Sequence, residues 1–391
     1  MGKDMGPFPA PDNRRPATAP GNPLALASQR RMVYGRRAML ATTPLLRNFW
    51  YLALPGARLR RGAMRTTRLA GEPLLLCRGA NGQVFALRDI CPHRGIPLSY
   101  GRFDGHEVEC CYHGWRFAAD GHCTAIPSLA PGQDLAVERI RCGAYPCREL
   151  QGNIWVYLGD KTARLPRAEP ADLPPPPTLP GFGDLAPQVA ISQVFPCSSD
   201  QAAFGLMDPT HAAFVHTSWW WKKNARQLRL KEKHFEPAPL GWRMKRHPLP
   251  RQNRAYRLLG REVTTEITYQ LPGLRIELIE GERHRAAGLT AITPLSETET
   301  EVHQALYCTL PWLAPLRPLG RYRANSFLTQ DRAVVVKQQQ GLAHNPSLML
   351  IDDADTQAKW FNRLKREWLR AAEEGRPFEN PVQDCTLRWR S

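Results

Sequence analysis

Cys91-Pro92-His93 and, after sixteen intervening residues, Cys110-Cys111-Tyr112-His113 place two thiols and two imidazoles on two short segments. No other feature restricts this chain as strongly, because two loops must fold back on one another to bring that ligand set together. In each segment a Cys and a His are separated by only one or two residues, so both can face one inorganic centre. Two centres accept the set. One is a [2Fe–2S] cluster in which two His replace two Cys on one iron. The other is a tetrahedral zinc held by Cys2His2. Zinc pairs usually come as C-x2-4-C and H-x3-5-H, not as mixed Cys–His pairs, which favours the cluster.

Ten cysteines in 391 residues are too few for a disulfide scaffold, so reduced thiols or metal ligands are the default expectation. A hydrophobic content of 42% with 23% charged residues is ordinary for a globular protein and excludes wholesale disorder. The length leads to an expectation of two domains. The longest apolar candidate, Met39–Pro55, is broken by Pro44 and Arg47, so no membrane span is expected. Arg30-Arg31 resembles half of a twin-arginine signal, but Arg36-Arg37 interrupts the place where an apolar region would begin. Seven prolines up to Pro44 also fit an amphipathic transit helix poorly. A cytoplasmic location is therefore expected.

The net charge of +17 is unevenly spread. Residues 1–43 carry +5, and Lys222–Arg261 holds 13 basic residues against two acidic ones. That second run reads as a solvated face beside strands, as a docking patch for an acidic redox partner, or as an attractor of anionic substrates. Nucleic acid is not expected, because no motif that reads bases accompanies the charge.

Residues 1–43 are rich in Pro, Arg and Ala and lack any periodicity, so they read as a disordered basic tail, with Met32 or Met39 as alternative start sites. Folded sequence is expected from residue 44. Leu74–Cys77 and Val84–Leu87 flank Gly79-Ala80-Asn81-Gly82 and predict a hairpin. Glu107–Cys110 and Asn153–Leu158 also read as strands, making residues 44–160 mostly β. Residues 161–186, which include Pro174-Pro175-Pro176-Pro177, predict a stiff extended linker. In 187–391 the sequence predicts a strand at Val189–Phe195, a helix around Ser199–Met207 and several strands between Leu228 and Leu310. Trp360, Phe361, Leu364, Trp368 and Leu369 fall at helical spacing, with Asp352, Asp353 or Asp355 as caps and Gly375 as a stop.

The strings around the first constellation, Cys91-Pro-His-Arg-Gly-Ile-Pro-Leu-Ser-Tyr-Gly101 and Tyr112-His-Gly-Trp-Arg-Phe117, resemble the Rieske domains of ring-hydroxylating oxygenases. The resemblance implies that Cys91, His93, Cys110 and His113 bind a Rieske [2Fe–2S] cluster. Quinol-oxidising Rieske proteins brace these loops with a disulfide at positions that are Ile96 and Tyr112 here, so the brace is absent. Cys111 stands where proline is common and is expected to be a small buried residue. His106 and His122 are given no role.

Asp208-Pro209-Thr210-His211 and His216 form D-x2-H-x4-H, with two His five apart on an expected helix. A 2-His-1-carboxylate face leaves open positions on a non-haem iron. The string resembles the iron motif of Rieske oxygenase α subunits, particularly the vanillate demethylase and dicamba monooxygenase branch. The resemblance makes His211 and His216 iron ligands. It makes Asp208 a bridge to a cluster ligand of a neighbouring subunit, His113 by expectation, whereas a bland reading makes Asp208 a charge at a helix N-terminus. Gln330-Asp331-Arg332-Ala-Val-Val-Val-Lys-Gln-Gln-Gln340 resembles the segment that supplies the third ligand, so Asp331 is expected there, with Asp352 as runner-up. Relatives commonly have Asn where this chain has Gly205. Trp219-Trp220-Trp221 are expected to pack rather than to line a pocket.

Together the resemblances imply an α+β chain: an N-terminal Rieske β domain, then a helix-grip (START/Bet v 1-like) antiparallel-sheet domain with a mononuclear Fe2+. They imply an oxygenase that uses O2 to hydroxylate or oxidatively demethylate an aromatic or other cyclic small molecule. They imply a head-to-tail homotrimer fed by NAD(P)H through a separate reductase, with or without a ferredoxin, since no G-x-G-x-x-G fingerprint is present. The alternatives are a Rieske electron carrier whose second domain is not catalytic, and a basic interaction protein holding zinc or iron.

Overall fold

The computed structural model describes residues 44–160, 173–216, 218, 228–249 and 256–391. The basic tail, Trp219-Trp220-Trp221, the first part of the linker and, within the Lys222–Arg261 run, residues 222–227 and 250–255 lie outside the described residues.

The N-terminal half is built from eleven short strands: β1 (Phe49–Pro55), β2 (Ala63–Leu69), β3 (Glu72–Arg78), β4 (Val84–Arg88), β5 (Arg102–Phe103), β6 (Val108–Glu109), β7 (Arg116–Phe117), β8 (Cys123–Ala125), β9 (Ala144–Tyr145), β10 (Cys147–Leu150) and β11 (Asn153–Leu158). They form three antiparallel sheets, ordered β1-β11-β10, β2-β3-β4-β9 and β5-β6-β7-β8. The predicted hairpin is β3–β4, with Leu74 opposite Arg88 and Arg78 opposite Val84. The strand expected at Glu107–Cys110 shrinks to Val108–Glu109, because Cys110 already turns into a loop.

The C-terminal half is one eight-stranded antiparallel sheet with helices. Its strands are β12 (Val189–Phe195), β13 (Leu230–Ala238), β14 (Gly241–Pro248), β15 (Thr264–Gln270), β16 (Leu274–Glu280), β17 (Arg285–Pro294), β18 (Thr300–Cys308) and β19 (Cys385–Arg390), in the order β12-β18-β17-β16-β15-β14-β13-β19. The helices are α1 (Ser199–Met207), the single turn α2 (Ala212–Val215), α3 (Arg317–Leu342) and α4 (Thr356–Glu374).

Helix α1 begins with a capping box: Ser198 Oγ accepts from the Gln201 backbone N–H, and the Gln201 side chain returns to Ser198. Helix α4 is the predicted amphipathic helix. Its Trp360 meets Phe235 of β13 and Trp242 of β14 edge-on, and Leu364 is fully buried. Gly375 ends it at φ 65°, a conformation that costs glycine nothing. Asp355 stands at its start without a side-chain cap bond, and Asp352 instead pairs with Lys359 at 2.6 Å. Asp200 of α1 and the buried Lys365 of α4 pair at 2.6 Å and join these helices.

The two halves share an apolar layer. Trp50, Leu52, Trp155 and Tyr157 pack on Leu274, Ile276, Leu289 and Tyr307 of the large sheet. Polar contacts reinforce it: Thr293 Oγ1 donates to Leu52 O at 2.7 Å, and Tyr307 Oη to Gln151 O at 3.0 Å. The described part of the Pro-rich segment, residues 173–186, is not a free spacer. Its Leu179 and Phe182 join this layer, and Gln151 binds Leu179 through both its amide N–H and its carbonyl.

Candidate metal centres

The first centre sits on two loops closed in the same way. Cys91 N–H donates to Ile96 O at 2.8 Å, and Gly95 N–H returns to Cys91 O at 2.9 Å. Cys110 N–H donates to Trp115 O at 2.8 Å, and Gly114 N–H to Cys110 O at 3.0 Å. Both turns need a left-handed residue four positions after the Cys, and glycine fills each, at φ 76° and 71°. Asp89 steadies the first loop by accepting from Ser99 N–H at 2.8 Å and Ser99 Oγ at 2.7 Å.

These loops bring Cys91, His93, Cys110 and His113 together. Both thiols are buried in the core formed by Leu75, Leu87, Val108 and Phe117. The two imidazoles meet edge-on at 4.5 Å, and Trp115 stacks on His93 at 4.5 Å and 3°. Burial pushes the Cys91 thiol up to about 11, with Cys110 beside it adding to the rise. Burial, with His93 and Arg94 nearby, lowers the His113 pKa. His113 Nδ1 is buried and has no hydrogen-bond partner among the described residues. A buried imidazole nitrogen left this way is costly unless a metal takes its lone pair. The donor set therefore fits a His2Cys2 [2Fe–2S] cluster. Cys111 departs from expectation: it is exposed, because it stands at the loop tip next to the exposed Tyr112.

The second centre joins distant segments. The two His do not share a helix; His211 precedes the single turn α2 and His216 follows it. Asp331 comes from the middle of α3. Asp331 Oδ1 lies 3.7 Å from His211 Nε2 and 3.5 Å from His216 Nε2, and one ligand atom from each residue falls within 4.8 Å of the others. Burial pushes the Asp331 carboxyl up to about 6, although His211 opposes the shift. A cation at the point between the three would relieve that burial cost. The structure brings together the three residues that the resemblance pointed to, in a grouping that could hold a metal ion. Asp352 is not part of it, being highly exposed and paired with Lys359.

Asp208 stands at the C-terminal cap of α1, so the reading as an N-terminal helix charge does not hold. Its backbone carbonyl lies 2.9 Å from His211 Nδ1 and its Oδ2 at 3.7 Å. Its Oδ1 accepts from Thr210 N–H at 2.7 Å and Thr210 Oγ1 at 2.6 Å. Gly205 lies within α1, three residues before Asp208, and a Cβ placed there would meet nothing within 4 Å. The sequence reading missed Phe327, Gln330 and Ser218. Phe327 stacks on His216 at 3.7 Å, Gln330 Oε1 lies 3.2 Å from His216 Nδ1, and Gln330 Nε2 donates to Ser218 Oγ at 2.6 Å. Helical spacing could have flagged Phe327, which is four residues before Asp331.

A sulfur- and imidazole-rich β domain joined to a sheet domain with a 2-His-1-carboxylate face defines a protein with two iron centres. Comparisons with known proteins agree. Residues 49–144 match the Rieske [2Fe-2S] domain, and residues 197–371 match the vanillate O-demethylase oxygenase C-terminal domain. The chain belongs to the Rieske non-haem iron oxygenase α subunits, on the branch with that C-terminal domain. Its cofactors are accordingly a Rieske [2Fe–2S] cluster and a mononuclear iron.

Chlorophyllide a oxygenase of Chlamydomonas reinhardtii is 36% identical over 208 residues, which are 52% of this chain and 30% of that protein. The oxygenase subunit of 5,5'-dehydrodivanillate O-demethylase from Sphingobium sp. is 34% identical over 177 residues, 45% of this chain and 40% of that one. The chain thus spans about a third of the length of the curated relatives it matches. Dicamba monooxygenase bound to dicamba shares the fold, with a TM-score of 0.63 at 23% identity over 83% of this chain and 98% of that one. Among the described residues no helix is long and apolar enough to cross a membrane.

Proposed function

We propose that this chain is the oxygenase component of a Rieske-type oxygenase that hydroxylates or oxidatively demethylates an aromatic or other cyclic small molecule. The observation that carries the reading is the convergence of His211, His216 and Asp331 in a chain that also holds the Cys91/His93/Cys110/His113 set. When bound, the mononuclear iron supplies O2 activation and the cluster supplies electrons one at a time. In this reading His211 and His216 would hold the iron through Nε2 and Asp331 through its carboxylate. Each monohydroxylation takes one O2, two electrons and two protons, and releases one water.

Asp208 is the bridge. With Oδ1 held by Thr210 and its carbonyl at His211, its remaining oxygen is available to His113 of a neighbouring subunit. That role requires a head-to-tail homotrimer, and the exposure of Tyr100, Tyr112 and Phe214 fits surfaces that a neighbour would cover. Electrons would come from NAD(P)H through a separate reductase or ferredoxin. Ten free cysteines support a reducing, cytoplasmic setting. The domains are drawn at 44–160 and 187–391, with 161–186 between them.

The substrate would lie against the sheet face that carries Ile267, Tyr269, Thr290, Gln304 and Leu306, the face on which α3 packs. Gln304 Oε1 is buried there without a hydrogen-bond partner among the described residues, which suits a substrate hydroxyl or N–H. Arg275 on the same face is engaged by Glu277 at 2.9 Å and Tyr269 Oη at 3.3 Å, so a carboxylated substrate is not required.

The test is iron stoichiometry with EPR on anaerobically reconstituted, dithionite-reduced protein, beside a His211→Ala/His216→Ala double variant. About three irons per chain, falling to about two with the Rieske signal intact, is the expected result. About two in both proteins would leave an electron carrier, the second reading.

A further inference from the structure

Helix α3 grips His216 from three sides. Phe327, Gln330 and Asp331 fall at i, i+3 and i+4, so they share one helical face. Phe327 covers the flat of the imidazole at 3.7 Å, Asp331 Oδ1 faces Nε2 at 3.5 Å, and Gln330 Oε1 faces Nδ1 at 3.2 Å. Behind Gln330, its Nε2 donates to Ser218 Oγ at 2.6 Å, and Ser218 Oγ lies 3.5 Å from Ser326 Oγ, one turn back on the same helix.

The direction of this chain of hydrogen bonds matters. An imidazole that gives its Nε2 lone pair to a metal must carry its proton on Nδ1, and that proton needs an acceptor. The Gln330 carbonyl is that acceptor only while the Gln330 amide N–H group points to Ser218. Serine hydroxyls donate or accept by rotating, so the chain can also run in reverse. Reversed, the amide would donate to Nδ1, and the imidazole proton would move to Nε2, where it blocks the metal position.

We infer that Gln330, oriented by Ser218 and Ser326, is the positioning residue that fixes His216 in its metal-ready tautomer, and that it does so with a neutral acceptor. His211 is treated alike, its Nδ1 facing the Asp208 backbone carbonyl at 2.9 Å. Asp331 is then the only formal negative charge among the side chains this inference assigns to the iron. The inference rests on the reading of His211, His216 and Asp331 as an iron site.

The experiment measures Fe2+ affinity by chelator competition on the full chain with its cluster in place, and the EPR spectrum of the nitric oxide adduct of the ferrous site. The proteins are wild type, Gln330→Leu, Gln330→Glu and Ser218→Ala. Gln330→Leu keeps the shape but removes the acceptor, and should weaken iron binding by about 10–100-fold. Gln330→Glu restores an acceptor, so it should recover most of the affinity while shifting the adduct spectrum, because the imidazole becomes more basic. Ser218→Ala should fall between wild type and Gln330→Leu. An unchanged Rieske signal and thermal midpoint identify variants that fold. Wild-type affinity and an unaltered spectrum in Gln330→Leu would overturn the inference alone. Cluster iron only, in wild type as well, would overturn the iron-site reading and this inference with it.

Discussion

The two centres are assembled in opposite ways. The cluster loops are local: each is a short turn closed by its own backbone bonds and glycine, with the second Cys nineteen positions after the first. The mononuclear site has no local integrity. Its His216 and the α3 residue that supports it are 114 positions apart, and α2 is a single turn. A site of the first kind forms when one small β domain folds. A site of the second kind exists only once the large sheet has fixed α3 against the segment after α1. Gln193 of β12, binding Asn325 and Thr329, and Arg332, donating to Val194 O at 2.8 Å, provide that fixing.

The comparison is broken most severely at the cluster. Cys110→Ala removes a buried ligand, so the visible absorption and reduced EPR signal should vanish and iron should fall from about three to about one per chain. Asp331→Ala should do the converse: about two irons remain, the Rieske signal persists, and O2-dependent product formation stops. Either change abolishing both signals would mean that the centres are not independently assembled.

Asp208→Asn tests the link between the centres. Both metals should load normally, while single-turnover oxidation of the reduced cluster in the presence of substrate slows by about 10–100-fold. An unchanged rate would remove Asp208 from the electron path.

His303 sharpens the comparison at the junction of the halves. It is fully buried on β18, neither ring nitrogen is hydrogen-bonded among the described residues, and burial lowers its pKa to about 4 despite Glu301 nearby. The unfolded chain takes up the proton near the ordinary value of about 6.5, so the folded state loses stability as pH falls from there towards 4. The loss should reach about 3 kcal/mol, read as a falling denaturant midpoint, and His303→Phe should flatten it. An equally steep profile in His303→Phe would assign the pH dependence elsewhere. The smallest effect is expected at Gly205→Ala. The position is helical and open, so stability should rise by about 0.5–1 kcal/mol with both metal signals unchanged.

Much of this was legible in the sequence. The spacing of Cys91, His93, Cys110 and His113 favoured a cluster over zinc, and the strings around them carried the resemblance to Rieske domains, because these ligands are near neighbours in the chain. Val189–Phe195 and Ser199–Met207 matched the predicted strand and helix, since alternation and a capping box are local signals. The His211–His216 segment was less transparent, because two His five apart do not dictate whether a helix runs through them or stops between them. The exposure of Cys111 went unread for a related reason: a small thiol suits a core or a loop tip equally well, and only the turn decides.

The sequence by itself therefore determined which atoms are available: two thiols and two imidazoles on short segments, two more imidazoles five residues apart, and an aspartate far downstream in Gln330–Gln340. Ligand identity is a covalent property, and near-neighbour spacing constrains the chain without reference to the rest of the molecule. Only the tertiary structure decided which carboxylate meets His211 and His216, and that Gln330 and Phe327 hold His216 in place. Those contacts cross more than a hundred residues, where no sequence periodicity reaches, and they exist because the packing of α3 across β12 sets which helical face looks at the histidines.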